Sequence, residues 1–258
     1  MFSLFFKAMK HNWSAQASNP VNLWSGLLTM IVNNVLFLYG MWLMMFAGKE
    51  QNQKIFPVYL TLTVLAYIGW GTLNFFLGGL KELGFIIDDG QLEPMLGTPR
   101  HPLFLAAISQ SSVTALGDFI QGILSLIFLY WYIGIEWGLR ATFASAAVTI
   151  AFAAVFIAAG TLAFFVSRGA SVSVFIIEST LSFTMYPVTK ILEGNSRMIL
   201  YIIPAALTAT LPMAWIENAT WSDFLIMNVA VAVCFILSIL FFNYGVKNYK
   251  ASSYIGAK

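Results

Sequence analysis

The sequence predicts an all-α membrane protein with six transmembrane helices. Of its 258 residues, 59% are hydrophobic and only 9% are charged, and the mean hydropathy is +0.81. A water-soluble domain of this length needs far more charge to cover its surface. In addition, several apolar runs exceed the roughly 20 residues that an α-helix needs to cross the core of a bilayer. The net charge of +2 is too small to indicate a nucleic-acid partner.

The apolar runs are separated by short polar segments, which set the boundaries of the predicted helices. No internal repeat and no low-complexity linker divides the chain, so a single transmembrane domain, 1–258, is expected. The six spans are predicted at 21–47, 55–80, 102–133, 141–166, 171–191 and 222–246.

Residues 1–19 precede the first span and combine aromatic with basic side chains. Phe5 and Trp13 alternate with Lys7 and Lys10 at a near-helical spacing. This pattern predicts an amphipathic helix lying in the membrane interface. The alternative, a frayed and solvated terminus, would expose too many aromatic rings to water.

Residues 198–216 are apolar and nearly long enough to cross the membrane, but they contain Pro204 and Pro212. Each proline removes a backbone donor and interrupts a helix. The sequence therefore predicts a re-entrant hairpin of two short helices between spans five and six. Such irregular backbone is tolerated at membrane depth only where protein or a cavity covers it.

The distribution of basic residues predicts the orientation. With six spans, one side holds Lys7, Lys10, Lys81, Arg100, Arg168, Lys247, Lys250 and Lys258, and the other holds Lys49, Lys54, Arg140, Lys190 and Arg197. The richer side is expected to be cytoplasmic, which places both termini in the cytoplasm. A seventh span would move the three lysines of the tail outside and reverse this balance.

The most polar internal segment is DDGQLEPMLGTPRHP, residues 88–102, within the predicted cytoplasmic loop 81–102. Leu92, Met95 and Leu96 have the spacing i, i+3 and i+4, which places them on one face of a helix. The spacing therefore predicts a short helix with an apolar ridge.

The ends of this short helix also carry sequence signals. Asp88 or Asp89 is expected to cap its start, with Gln91 completing a capping box. Gly97 and Pro99 are expected to end it. Periodicity alone leaves open whether the ridge packs on the chain's own helices or contacts a partner.

The run DDGQLEPMLGTPRHPLFLAAISQ resembles the coupling-helix region of type-2 ABC export permeases. The family pattern has an acidic lead, Gly-Thr-Leu-Glu, two apolar residues, and Thr- or Ser-Pro before the third span. Gln91 replaces the usual small hydroxyl residue, and Pro94 is a further departure from the pattern. The resemblance assigns ATPase coupling to Asp89, Gly90, Gln91, Leu92, Glu93, Met95, Leu96, Thr98, Pro99 and Arg100.

The resemblance extends over nearly the whole chain, since an interfacial helix, six spans and a late hydrophobic hairpin all belong to that family. YPVTKIL and IIPAALTATLPMAWI are similar to its poorly characterised bacterial branch. The resemblance implies a bacterial inner-membrane exporter subunit. The aromatic-rich spans suit an amphipathic or lipid-like substrate, and drug, lipid, peptide and glycan substrates all stay open. Its implied partners are a second permease chain, identical or related, two cytoplasmic ATPases, and membrane lipids. The chain lacks G-x-x-x-x-G-K-[ST], so ATP and Mg²⁺ are expected on the ATPases, with no cofactor, metal site or catalytic residue in this chain.

A set of polar residues lies inside the predicted spans: Asn33, Asn34, Asn74, Asp118, Gln121 and Glu178. Buried polar groups are costly in lipid and usually face protein or water. No lysine or arginine is expected at the depth of the two carboxylates, so each should be protonated or face a wet cavity. The six residues could line a transport path, contact a partner permease, or fix helix packing through hydrogen bonds.

A different class of function, an ion- or proton-coupled carrier working alone, would also use Asp118 and Glu178. It requires an inverted repeat and broken spans near the membrane midplane, and the sequence indicates neither. An intramembrane hydrolase would require a nucleophile with a base, or grouped metal ligands. His11 and His101 lie at membrane boundaries, far apart in sequence, so enzyme chemistry is not expected.

Overall fold

The computed structural model describes residues 2–46, 52–186 and 204–249, and most of them are helical. Short turns at Gly78–Leu80, Leu162–Phe164 and Ala206–Thr210 extend or join the helices. In chain order, the α-helices are α1 Phe2–Ala17, α2 Pro20–Phe46, α3 Asn52–Leu77, α4 Leu83–Asp88, α5 Glu93–Leu96, α6 Pro102–Ser109, α7 Ala115–Tyr132, α8 Ile135–Thr161, α9 Gly169–Met185, α10 Leu211–Asn218 and α11 Trp221–Asn248.

Five helical stretches are long and apolar enough to cross a membrane, which confirms the prediction of a multi-pass membrane protein. They are Leu23–Gly40, Ile55–Asp88, Ala115–Tyr132, Ile135–Phe164 and Trp221–Asn248. The remaining predicted span, the fifth at 171–191, corresponds to α9, which is apolar but has only 17 residues. Residues 187–191 of that prediction lie outside the described residues.

The prediction of one continuous third span at 102–133 is wrong. Its residues form α6 and α7, which are separated by a break at 110–114. The break contains three hydroxyl residues and a valine, which favour local alternatives to the helix. Its backbone pairs with the end of α3 instead: the Gly79 amide donates to Gln110 O at 3.2 Å, and the Ser112 amide donates to Asn74 O at 2.9 Å.

The core forms where α3 packs between α7 and α8. The Trp70 ring on α3 meets Phe156 of α8 edge to face, with the ring centroids 5.3 Å apart. On the α7 side, a Cβ added to Gly71 would lie 2.5 Å from the Phe119 nitrogen. Only a glycine permits this backbone approach, which is how small residues join helices in membranes.

The predicted N-terminal helix is present as α1. One side of it packs on α3, with Phe5 stacked on Phe76 at 6.4 Å and Trp13 edge-on to Phe75 at 6.1 Å between ring centroids. Phe6 remains exposed on the other side. Its position in the membrane interface stays a prediction.

Only part of the predicted hairpin, 198–216, can be compared, because residues 198–203 lie outside the described part. From Ala206 the chain forms a π-helical turn that continues directly into α10. The chain stays helical through Pro212, and the π-helical pattern changes to an α-helical one just before this proline. The Arg140 guanidinium donates to Ile216 O at 2.8 Å, near the end of α10. The re-entrant path stays a prediction.

Candidate transport site and coupling loop

A polar cleft lies among α2, α3, α7 and α9, at the break between α6 and α7. It consists of two cavities, of 270 Å³ and 220 Å³, that share Lys81 and Asp118 in their walls. Five of the six polar residues predicted inside the spans line it: Asn33, Asn34, Asn74, Asp118 and Glu178. Gln121 is not among the lining residues, because its amide donates to Ser125 Oγ one turn along α7. The structure thus brings together residues from four separate helices.

Asp118 and Asn34 form the most buried polar contact of the cleft. The Asn34 amide donates to Asp118 Oδ1 at 2.6 Å, and each residue is only 4% exposed. The Tyr67 hydroxyl donates to the Asn34 carbonyl at 3.4 Å. The bond between Asn34 and Asp118 joins α2 to α7, so it contributes to helix packing as well as to the wall of the cleft.

The expectation that no cation lies near the two intramembrane carboxylates is wrong. Lys81 Nζ lies 2.9 Å from Glu178 Oε1 and 4.8 Å above the Trp70 ring centroid. The sequence places Lys81 at the start of a cytoplasmic loop. The chain instead passes through a short turn into α4, whose Leu83, Ile86 and Ile87 are buried, and this holds the lysine against the bundle.

The walls of the cleft hold more acidic than basic side chains. Glu82 joins Asp118 and Glu178 there, and Lys81 is the basic residue among those that line the cleft. Such a balance favours a polar group that is neutral or positively charged. In the described part of the chain, no group of three His, Cys, Asp or Glu side chains is placed to hold a metal ion.

A larger apolar cavity of 590 Å³ lies among α8, α9, α11 and the residues before α10. Ile176 of α9 lines it, while Glu178, two residues later, lines the polar cleft. Helix α9 therefore separates an apolar cavity from a polar one. No sequence signal predicts this separation, because an apolar side chain in α9 has the same sequence pattern whether it faces lipid or a cavity.

The coupling loop, Asp89–His101, is shorter than predicted, because α4 continues the second span to Asp88. Its helix α5 has only four residues. The expected apolar ridge is also divided. Leu92 is fully buried in the core, Met95 is half-buried, and Leu96 is 37% exposed.

The predicted cap of the coupling helix is wrong. Asp88 Oδ2 instead accepts a hydrogen bond at 2.9 Å from the Ala170 amide, at the start of α9. The chain then turns through Gly90, whose φ of 72° suits glycine. Pro94 lies in the first turn of α5, so it begins this helix rather than bending it.

The coupling loop is also attached to α11. His101 Nε2 lies 3.1 Å from Asn243 Oδ1. The Tyr249 hydroxyl, just beyond α11, lies near Glu93. Burial, and next the Glu93 carboxylate, raise the pKa of this hydroxyl. Six of the residues assigned to ATPase coupling remain exposed: Asp89, Gln91, Leu96, Thr98, Pro99 and Arg100. The loop thus has one face on the bundle and one face exposed.

Comparison with known proteins agrees with this architecture. Residues 52–253, well over half of the chain, match the family model described as ABC-2 family transporter protein. No significant match was found among curated proteins or solved structures. The family's chains are the membrane subunits of ABC transporters, and ABC ATPases are their partners. The chain belongs to the ABC-2 transporter family, which confirms the resemblance seen in its coupling-loop sequence.

Proposed function

We propose that this chain is the permease subunit of an ATP-driven exporter, and that its coupling loop transmits ATPase movement to the polar cleft. One observation supports this most directly. The segment between Lys81 and Asp88 contacts α9 at both ends, through the ion pair with Glu178 and the bond to the Ala170 amide. A displacement of the loop would therefore act on a helix that lines the cleft.

Close packing would make this transmission stiff. A Cβ added to Gly160 of α8 would lie 2.7 Å from Leu83 Cβ, and one added to Gly84 would lie 2.9 Å from the Ala170 Cα. Helix α4 therefore has little room to move independently of α8 and α9. Closely packed interiors transmit strain instead of absorbing it.

The proposed substrate is amphipathic or lipid-like. The polar cleft offers amides and carboxylates for a polar end, and the apolar cavity offers 590 Å³ of hydrocarbon-lined space on the other side of α9. The charge balance of the cleft favours a neutral or cationic polar end over an anionic one. Movement is proposed to be outward, driven by ATP and Mg²⁺ bound to the partner ATPases.

The assembly is proposed to contain a second permease chain, identical or related, in the bacterial inner membrane with both termini cytoplasmic. Helix α2 supports this stoichiometry because it has a long apolar face that the described part of the chain leaves uncovered. Trp24, Leu28, Leu36 and Tyr39 on that face are each more than half exposed. Lipid or the second chain would cover it.

The proposed docking role of the coupling loop is tested by Leu96→Asp. This substitution puts a charge on the exposed part of the loop, where ATPase contact would otherwise exclude water. We expect the chain to insert normally but to lose co-purification with its partner ATPase. Leu92→Asp is unsuitable for this purpose, because Leu92 is fully buried and the substitution would damage the fold.

Ser167→Asp provides the matched control, since it adds the same charge at an exposed position just before α9, outside the residues assigned to ATPase coupling. It should retain the ATPase. Equal ATPase recovery with Leu96→Asp and the native chain would refute the docking role.

The break between α6 and α7 supplies one feature of the alternative, an ion- or proton-coupled carrier using Asp118 and Glu178. The family match does not favour it. Reconstituted transport driven by a proton gradient in the absence of ATP would support this alternative over the exporter.

A further inference from the structure

The break between α6 and α7 frees backbone groups that no helix can satisfy. At membrane depth such groups must find partners within the protein. Side chains of α1, almost a hundred residues earlier in the chain, satisfy three of them. Gln16 Nε2 donates to Ser111 O, the Val113 amide donates to Gln16 Oε1 at 2.8 Å, and Asn12 Nδ2 donates to Ile108 O at 3.3 Å.

The chemistry of glutamine suits this position. A primary amide offers a donor and an acceptor together, as a peptide group does. Gln16 therefore bonds to the break on both sides of Ser112. The Ser112 amide itself donates to Asn74 O of α3. The break is thus held from two directions, by α1 and by α3.

The same break forms part of the polar cleft. Ser111, Ser112 and Thr114 line the 220 Å³ cavity together with Asp118. Asp118 lies in the first turn of α7, one turn after Thr114, so the position of the break determines where its carboxylate lies. A shift of the break would move both the wall and the acidic group of the cleft.

We propose that Gln16 is a positioning residue for the polar cleft. Through its paired hydrogen bonds, and with Asn12, the N-terminal helix holds the break in the shape that places Asp118 beside Asn34. We call these hydrogen bonds from Gln16 and Asn12 to the break the clamp. The clamp is a property of the fold, while its importance for transport rests on the proposed function of the cleft.

The clamp is tested by the chemical accessibility of the break. Ser111→Cys, made in a Cys234→Ala background, places the chain's only thiol at a position that is 8% exposed. The probe is N-ethylmaleimide, applied to the full chain in lipid nanodiscs without nucleotide. Gln16→Leu removes both hydrogen bonds at nearly constant size. We expect labelling to accelerate about tenfold, because buried backbone groups left without partners favour the open form.

Two further variants make the result specific. Ser14→Leu adds the same apolar side chain to an exposed position of α1 and should leave labelling at the native rate. Gln16→Glu keeps the acceptor for the Val113 amide but cannot donate to Ser111 O while ionised, so it should label at an intermediate rate. It also retains the size and polarity of the side chain, so it remains informative if Gln16→Leu does not fold.

Unchanged labelling in both Gln16 variants would overturn the clamp, and so would equal acceleration by Ser14→Leu. The proposed function is tested separately by ATPase co-purification, which requires no thiol chemistry. If the native chain does not co-purify with an ATPase while Gln16→Leu still labels faster, the exporter function is rejected and the clamp stands.

Discussion

The two faces of α3 are built on different principles. Towards α8, Trp70 packs against Phe152 and Phe156 among fully buried apolar side chains. Towards α2, α7 and α9, the same helix borders the polar cleft with its buried asparagine and carboxylate. Trp70 belongs to both regions, since its ring also lies beneath the Lys81 ammonium.

The two regions differ in how their stability is distributed. The apolar face depends on many weak contacts between close-packed side chains, none of which is chemically unique. The cleft depends on a few directed contacts, chiefly Asn34 with Asp118, Lys81 with Glu178, and Gln16 with the break. Loss of packing should therefore affect stability most, while loss of one polar contact should affect geometry and function more than stability.

A first way to test this difference is Phe156→Ala on the apolar face. Phe156 is fully buried, and removal of a buried aromatic ring typically costs about 3–5 kcal/mol in water-soluble cores. We expect the lower end of that range, because lipid solvates an exposed apolar surface better than water does. Reversible unfolding in mixed micelles measures the change.

Phe175→Ala is the matched control for this substitution. Phe175 of α9 is 74% exposed, so its removal leaves no cavity among the described residues and should change stability little. Equal destabilisation by the two substitutions would show that burial in the core does not determine the cost.

The predictability of the two regions from sequence differs for the same reason. Apolar composition and run length indicated the spans, because any sufficiently long hydrophobic helix satisfies the membrane. They could not indicate the break at 110–114, since apolar residues continue on both sides of it. The break depends on bonds from Gln16 and to Asn74, which are remote in sequence.

The sequence also does not indicate which side chains of the cleft contact one another. The polar residues of the spans were recognisable one at a time, and five of them do meet. Their partners were not, because Lys81 sits at a helix end that looked cytoplasmic. Likewise Asp88 has the sequence context of a local cap, yet it bonds to Ala170, 82 residues later. Local signals compete with tertiary contacts that one sequence does not display.

A smaller effect is expected from the ion pair of the cleft. Lys81 and Glu178 have side chains that are 27% and 46% exposed, so screening limits their attraction to about 1 kcal/mol or less. Lys81→Glu and Glu178→Lys should each destabilise the chain, and the double variant should recover most of the loss. A double-mutant cycle on the unfolding free energy isolates the pair.

The pair between Arg140 and Glu136 serves as a reference for this cycle. It joins one helix turn to the next, and the Glu136 side chain is 88% exposed. Its coupling energy should be smaller than that of the cleft pair. A cleft pair with no measurable coupling would mean that Lys81 is held by Trp70 and not by Glu178.

The smallest effect on stability is expected from Tyr249, which lies outside the cleft where the apolar core meets a charged side chain. Tyr249 packs edge-on against Phe164, and burial, with the Glu93 carboxylate, raises the pKa of its hydroxyl above the ordinary value of 10.0. A raised pKa means that the folded chain holds the phenolic proton more tightly than the unfolded chain. The resulting stabilisation is complete below the ordinary pKa and is lost as the pH rises above it.

Tyr249→Phe cannot lose this stabilisation, so its melting temperature relative to that of the native chain should be higher at about pH 10.5 than at about pH 7. All other tyrosines are common to both chains, so their ionisation cancels from the comparison. A melting difference that stays constant between these conditions would mean that the hydroxyl is free to ionise, and that the core boundary near Glu93 is open to water.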